Sequence, residues 1–222
     1  VHHEIQVHDS VDELARAAAV FVARRMKDLD DQSRPFTFAI SGGTTPWRMF
    51  DELGHEDVDW SATAIFQVDE RVVPVSSDLR NLTHLRASLA ATKAPIHPMD
   101  VDSADHDAAA RRYAEELPSR FDLIHLGLGP DGHCASLIPN DPVLEVTDRL
   151  VAMSGPYQDS MRMTLTYPVL DAAEQLLWLV SGEDKRDALA RLLDGDTSIP
   201  AGRVEATASL IMCDRAAYGD VS

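Results

Sequence analysis

The sequence predicts an α/β protein, a three-layer α/β/α arrangement around a mainly parallel, Rossmann-like sheet. Three observations lead there. Short β-rich runs alternate with longer amphipathic helical patterns along most of the chain, the order that strands joined by crossover helices produce. Several of the runs are apolar throughout, Leu176–Val180 among them, as burial on both faces of a sheet requires. No repeat, low-complexity stretch or linker-like shift in composition interrupts the 222 residues, so 1–222 reads as a single α/β domain.

Residues 5–8 form the first predicted strand. Ser10-Val11-Asp12-Glu13 then fits a capping box, Ser10 as N-cap and Glu13 reaching back. Val11, Leu14, Ala15, Ala18, Val22, Met26 and Leu29 follow helical spacing to about Asp30. The strand Phe36–Ile40 ends in Ser41-Gly42-Gly43-Thr44-Thr45-Pro46. Pro46 suits the first position of a helix that runs to Leu53 and stops at Gly54. A strand over 62–68 leads into Asp69-Glu70-Arg71, and helices follow over 81–91 and 105–117, the second stopped by Pro118. Leu123–Leu126 is a buried-looking strand opening into Gly127-Leu128-Gly129-Pro130-Asp131-Gly132-His133. Strands near 150–153, 161–166 and 176–180 come next. The turn Ser181-Gly182-Glu183-Asp184 starts a helix carrying Lys185, Ala188, Leu189 and Leu192, and 209–213 is the last strand.

Composition narrows the partners. A formal net charge of −17 repels nucleic acid and anionic membrane surfaces over long range, so neither is expected as a partner. An anionic substrate must then meet a local cluster of cations and backbone N–H groups. Lys27, Lys93 and Lys185 are the only lysines, which draws attention to the one beside a glycine turn. No apolar run reaches spanning length, and the first residues lack the basic and apolar regions of a signal peptide; a cytoplasmic protein is expected. Cys134 and Cys213 are far apart and lack metal-ligand spacing, so no disulfide framework or zinc site is indicated.

Four polar segments each follow directly on a predicted strand: 41–45, 69–71, 127–133 and 182–185. In open parallel sheets ligands bind beyond the carboxyl ends of the strands, so the four can converge on one pocket. Ser41, Gly42, Gly43 and Thr44 let backbone approach a ligand, and the following helix turns its N–H groups toward an anion; the same residues also suit a plain strand-to-helix turn capped by Thr45. Asp69-Glu70-Arg71 reads either as a surface ion pair or as a site, with Arg71 holding a phosphate in a fork and Asp69 positioning a hydroxyl or acting as a base. The glycines and proline of 127–133 specify a tight loop that presents Asp131 and His133 together. Among nine histidines only His133 has such a setting, and imidazole suits general-base work near neutral pH. No second ligand recurs at a metal-binding interval, so no metal is expected. Lys185, at a helix start where a cation opposes the dipole, implies a compensating anion, and Arg162 is a further candidate of that kind.

At these residues the sequence resembles the 6-phosphogluconolactonase family. The resemblance rests on Ser41-Gly42-Gly43-Thr44-Thr45-Pro46, Val68-Asp69-Glu70-Arg71-Val72-Val73-Pro74, the run from Gly127 to Pro139, Arg162-Met163-Thr164-Leu165-Thr166 and Gly182-Glu183-Asp184-Lys185, in that order. It implies a three-layer α/β fold, hydrolysis of 6-phospho-D-glucono-1,5-lactone in the pentose phosphate pathway, and no metal or organic cofactor. The implied partner is the small sugar-phosphate lactone, bound by a monomer or small homo-oligomer. His133 would be the base, oriented by Asp131, with Asp69 as the alternative base; Arg71, Lys185 and the N–H groups around Thr44 would anchor phosphate. Two departures stand out. Arg80 precedes Asn81 where the family often has serine, which could alter phosphate contacts, and Ile138 replaces a common aromatic residue as a packing change.

Two rival readings differ in class. Glucosamine-6-phosphate deaminases resemble this chain in fold and in their Asp-Gly-His loop, but carry Asn-Glu-Pro soon after the histidine. Ser136-Leu137-Ile138-Pro139 has no carboxylate there, which disfavours an aldose–ketose isomerising deaminase. A non-catalytic sugar-phosphate sensor would need a basic DNA-binding extension, which this acidic sequence lacks.

Overall fold

A computed structural model describes residues 3–28 and 34–219. In chain order the elements are β1 (His3–His8), α1 (Val11–Asp28), β2 (Phe36–Ile40), α2 (Thr44–Leu53), β3 (Thr63–Gln67), β4 (Asp69–Arg71), α3 (Asn81–Ser88), β5 (Ile96–His97), α4 (His106–Glu116), β6 (Leu123–Leu126), β7 (Val151–Tyr157), β8 (Ser160–Leu165), α5 (Tyr167–Asp171), β9 (Leu176–Val180), α6 (Arg186–Leu193), β10 (Ser209–Asp214) and α7 (Arg215–Tyr218). Seven strands form one parallel sheet in the order β1-β10-β9-β6-β2-β3-β5. The predicted end of the first helix, Leu29-Asp30, lies outside the described residues.

The apolar strands explain the layers. Every residue of β2, β3, β6 and β9 is buried, and alternate side chains enter opposite cores. In β9, Leu176, Trp178 and Val180 join one apolar cluster while Leu177 and Leu179 join the other. Leu14, Val22 and Met26 of α1, Phe50 and Leu53 of α2 and Leu85 of α3 cover the second cluster. Tyr113 of α4 and Leu189 and Leu192 of α6 belong to the first. Together these give the three-layer α/β/α arrangement. Among the described residues, no helix is long and apolar enough to cross a membrane.

The structure corrects several local expectations. The segments near 150–153 and 161–166 do not extend the parallel sheet; they form β7 and β8, an antiparallel hairpin that β4 joins to make a second, three-stranded sheet. Parallel pairing needs a crossover of a dozen residues or more, and only Gln158 and Asp159 separate these strands. Both have left-handed φ, 49° and 62°, as a two-residue hairpin turn of the primed type demands. Asp69–Arg71 is thus a strand, paired so that Arg71 lies opposite Arg162. Helix α2 begins two residues before Pro46, which sits at its third position, where the N–H has no intrahelical partner to lose. Helix α3 stops at Ser88 rather than 91, with Thr92 Oγ1 donating to the Leu89 carbonyl just beyond. Glu13 N–H donates to Ser10 Oγ as expected, but the Glu13 carboxylate accepts from Asp9 N–H, one residue further back.

Candidate active site

The four polar segments converge at the carboxyl edge of the parallel sheet, around a cleft of about 330 Å³. Ser41, Gly42, Gly43, Thr44, Asp69, Arg71, Asn81, His133, Arg162 and Lys185 all line it. Asp131 does not; it stands behind His133. Unforeseen lining residues include Tyr157, Gln158 and Ser181.

The glycine turn forms one wall. Gly43 occupies the N-cap of α2 and offers no side chain there, so the first-turn N–H groups have no side-chain cap. Thr45 does not cap the turn; its Oγ1 lies 2.8 Å from Ser181 Oγ, joining this wall to the loop after β9. A Cβ on Gly42 would come within 2.0 Å of Asn81 Oδ1, so only glycine admits α3 this close.

Against this wall, β4 and α3 are joined through one carboxylate. Glu70, fully buried, accepts the N–H groups of Arg71, Asn81 and Leu82, each at 2.8 Å, and the Gln67 side-chain amide at 2.9 Å. It therefore occupies the N-terminus of α3 and fixes Arg71 and Asn81 at the cleft. Arg71 donates to the Leu79 carbonyl at 2.6 Å and to Asn81 Oδ1 at 3.2 Å. Arg80, which the sequence left open as a modifier of phosphate contacts, does not line the cleft. Its guanidinium binds Asp102 and the Val73 carbonyl and lies 3.6 Å from Glu70. As a buried cation it needs these acceptors. Ile138 is buried in packing, as expected.

The loop after β6 holds the histidine. Gly129 N–H donates to the His133 carbonyl, and Gly132 N–H to the Gly129 carbonyl, closing the turn. A Cβ on Gly129 would lie 2.0 Å from His133 Nδ1, so the ring can lie against the backbone only at glycine. His133 Nδ1 is 2.6 Å from Asp131 Oδ1, which also accepts the His133 N–H at 3.2 Å. Burial pushes the Asp131 carboxyl up, but the charge and hydrogen bonds of His133, with the Tyr157 hydroxyl, hold it below the usual range. An ionised carboxylate only accepts, so Nδ1 carries a proton, and in the neutral ring the lone pair falls to Nε2. His125, buried in β6, is pushed down to about 3 by burial and stays neutral in the core.

The second sheet supplies the remaining contacts. Ser136 Oγ donates to Asp69 Oδ2 at 2.7 Å, and Ser136 N–H to Thr164 Oγ1 at 3.1 Å. Arg162 is only 3% exposed, and burial pushes its guanidinium below the ordinary arginine value, with Asp69 opposing and Arg71 adding to the shift. Its hydrogen bonds, to the Tyr157 carbonyl and Gln158 Oε1, are both long at 3.4 Å. Lys185 ends a 3₁₀ turn, Glu183–Lys185, immediately before α6 rather than within the helix's first turn. Asp184 Oδ2 lies 2.9 Å from its Nζ, a pairing within the same turn. Glu70, Ser136 and Tyr157 carried no role in the sequence reading. Glu70 and Ser136 stood inside recognised motifs, whereas Tyr157 had no sequence signal.

Several known proteins are similar to this chain in sequence and fold. A 6-phosphogluconolactonase of Synechocystis sp. is 34% identical over 193 residues, covering 81% of this chain and 80% of the relative. One from Nostoc sp. is 30% identical over 227 residues, 94% of each chain. The crystal structure of 6-phosphogluconolactonase from Thermotoga maritima superposes with a TM-score of 0.86 at 27% identity, over 96% of this chain and 99% of that one. Residues 9–212 match the family model described as glucosamine-6-phosphate isomerases/6-phosphogluconolactonase, and the chain belongs to that family.

Proposed function

We propose that this enzyme hydrolyses 6-phospho-D-glucono-1,5-lactone to 6-phospho-D-gluconate. The observation that carries the reading is the His133–Asp131 pair at the edge of a cleft also lined by Arg71, Arg162 and Lys185. His133 Nε2 takes a proton from water as the water oxygen attacks C1 of the lactone. The tetrahedral oxyanion collapses, the bond from C1 to the ring oxygen breaks, and the proton on Nε2 passes to that oxygen. General-base assistance contributes roughly 10²–10⁴-fold, and backbone N–H groups of the glycine loops stabilise the oxyanion. Arg71, Lys185 and the open N-terminus of α2 hold the phosphate, while Asn81, Ser41 and Arg162 complete the substrate surface. Asp69, engaged by Ser136, positions a hydroxyl and is the alternative base.

The reading takes the chain as one α/β unit, working in the cytoplasm as a monomer or small homo-oligomer without nucleic-acid or membrane partners. The net charge of −17 supports the last two exclusions. It is tested with freshly made lactone, coupling 6-phosphogluconate to NADP reduction, and with glucosamine 6-phosphate in parallel. Lactone loss without ammonia is expected, and ammonia release would overturn the assignment.

Lys185→Ala tests the phosphate anchor. A charge-assisted contact to phosphate is worth about 1.5–3 kcal/mol, so KM should rise about 10–100-fold with kcat changed far less. An unaltered KM in steady-state assays would remove Lys185 from phosphate binding.

A further inference from the structure

We propose that Tyr157 is a positioning residue for the general base: its hydroxyl holds the second oxygen of Asp131 and thereby sets both the orientation and the basicity of His133. The inference rests on the reading of His133 as the base.

The geometry accounts for every oxygen of the carboxylate. Oδ1 accepts from His133 Nδ1 and the His133 backbone, and Oδ2 accepts from the Tyr157 hydroxyl at 3.1 Å. Without that third bond the carboxylate, at a loop position about one-third exposed, would be held through Oδ1 alone. Tyr157 also touches the base directly, its ring meeting the imidazole edge-on at 5.1 Å and 64°. The tyrosine is itself held from behind. Its carbonyl accepts from Arg162, whose guanidinium lies 5.1 Å over the ring, and it pairs with Ser160 across the tight hairpin. Burial and the charge of Asp131 push the phenol up from its ordinary value, so it remains a donor over the working pH range.

The hydroxyl has an electrostatic consequence. A hydrogen bond donated to a carboxylate stabilises its charge and weakens its pull on a neighbouring proton. Asp131 so held stabilises the His133 imidazolium less. The other charged groups facing the cleft are Asp69 and Arg71 on β4, Arg162 on β8 and Lys185 before α6. Removing one phenolic oxygen leaves all of them in place.

Tyr157→Phe keeps the ring and removes only the donor. In the full-length enzyme, two measurements are made: the pH profile of kcat/KM on the lactone, and the NMR titration of the His133 imidazole. The expected result is an upward move of both the acid limb and the imidazole pKa by about half a unit. Plateau kcat should fall roughly three- to tenfold, with KM unchanged. An acid limb and titration that coincide with wild type, with or without a loss of kcat, would reduce Tyr157 to a packing residue and overturn the proposal. The titration needs no substrate, so it decides the point even for an enzyme inactive on the lactone, where the functional reading alone would fall.

Discussion

His133→Ala is expected to lower kcat on the lactone by roughly 10²–10⁴-fold while leaving KM nearly unchanged. The imidazole lines the cleft, and its Nδ1 is bound to Asp131 at 2.6 Å, which leaves Nε2 for the water. The phosphate anchors lie on other elements, Arg71 on β4 and Lys185 before α6. Substrate binding should therefore survive the loss of the ring. Residual rate would come from the oxyanion donors and from positioning. Asp69→Asn serves as the companion variant: if Asp69 were the base, it would show the larger loss. A His133→Ala enzyme with wild-type kcat would remove the histidine from the mechanism.

Glu70→Ala should be the most damaging change to stability. Its carboxylate is fully buried and receives three backbone N–H groups and the Gln67 amide, with Arg80 beside it. Truncation leaves those donors unpaired and Arg80 a buried cation with one acceptor fewer. Breaking a buried charge pair from one side costs about 3–5 kcal/mol. For a chain of this size each kcal/mol lowers Tm by about 2–4 °C, so a fall on the order of 10 °C is expected in thermal unfolding. Because Glu70 also fixes Arg71 and Asn81, KM should rise in whatever protein remains folded. A Tm within about 2 °C of wild type would show that water or a shifted Arg80 replaces the carboxylate.

The parallel sheet was legible because its strands announce themselves. Runs such as Leu176–Val180 are apolar on both faces, and the polar segments after β2, β3, β6 and β9 mark one edge of the sheet. The same positional logic brought Ser41, Arg71, His133 and Lys185 to one cleft. The second sheet was not legible. Its hairpin turns at Gln158-Asp159, which carries none of the Asn-Gly or Asp-Gly signal of a primed turn, and β4 is too short to show periodicity, as is β5 at the edge of the parallel sheet. The roles of Glu70 and Tyr157 depend on contacts between elements distant in sequence, with Asn81 and Asp131 respectively. The direction of the Arg80 side chain was left open for the same reason: adjacency to Asn81 in sequence does not fix it, and Asp102 and Glu70 do.

The most direct test of the central claim is the rate of opening of freshly prepared 6-phospho-D-glucono-1,5-lactone, compared with unphosphorylated glucono-1,5-lactone and corrected for spontaneous hydrolysis. Acceleration of the phosphorylated lactone, with kcat/KM at least about 100-fold above the unphosphorylated one, is what a cleft with cationic phosphate anchors predicts. No acceleration over spontaneous opening of the phosphorylated lactone would contradict it.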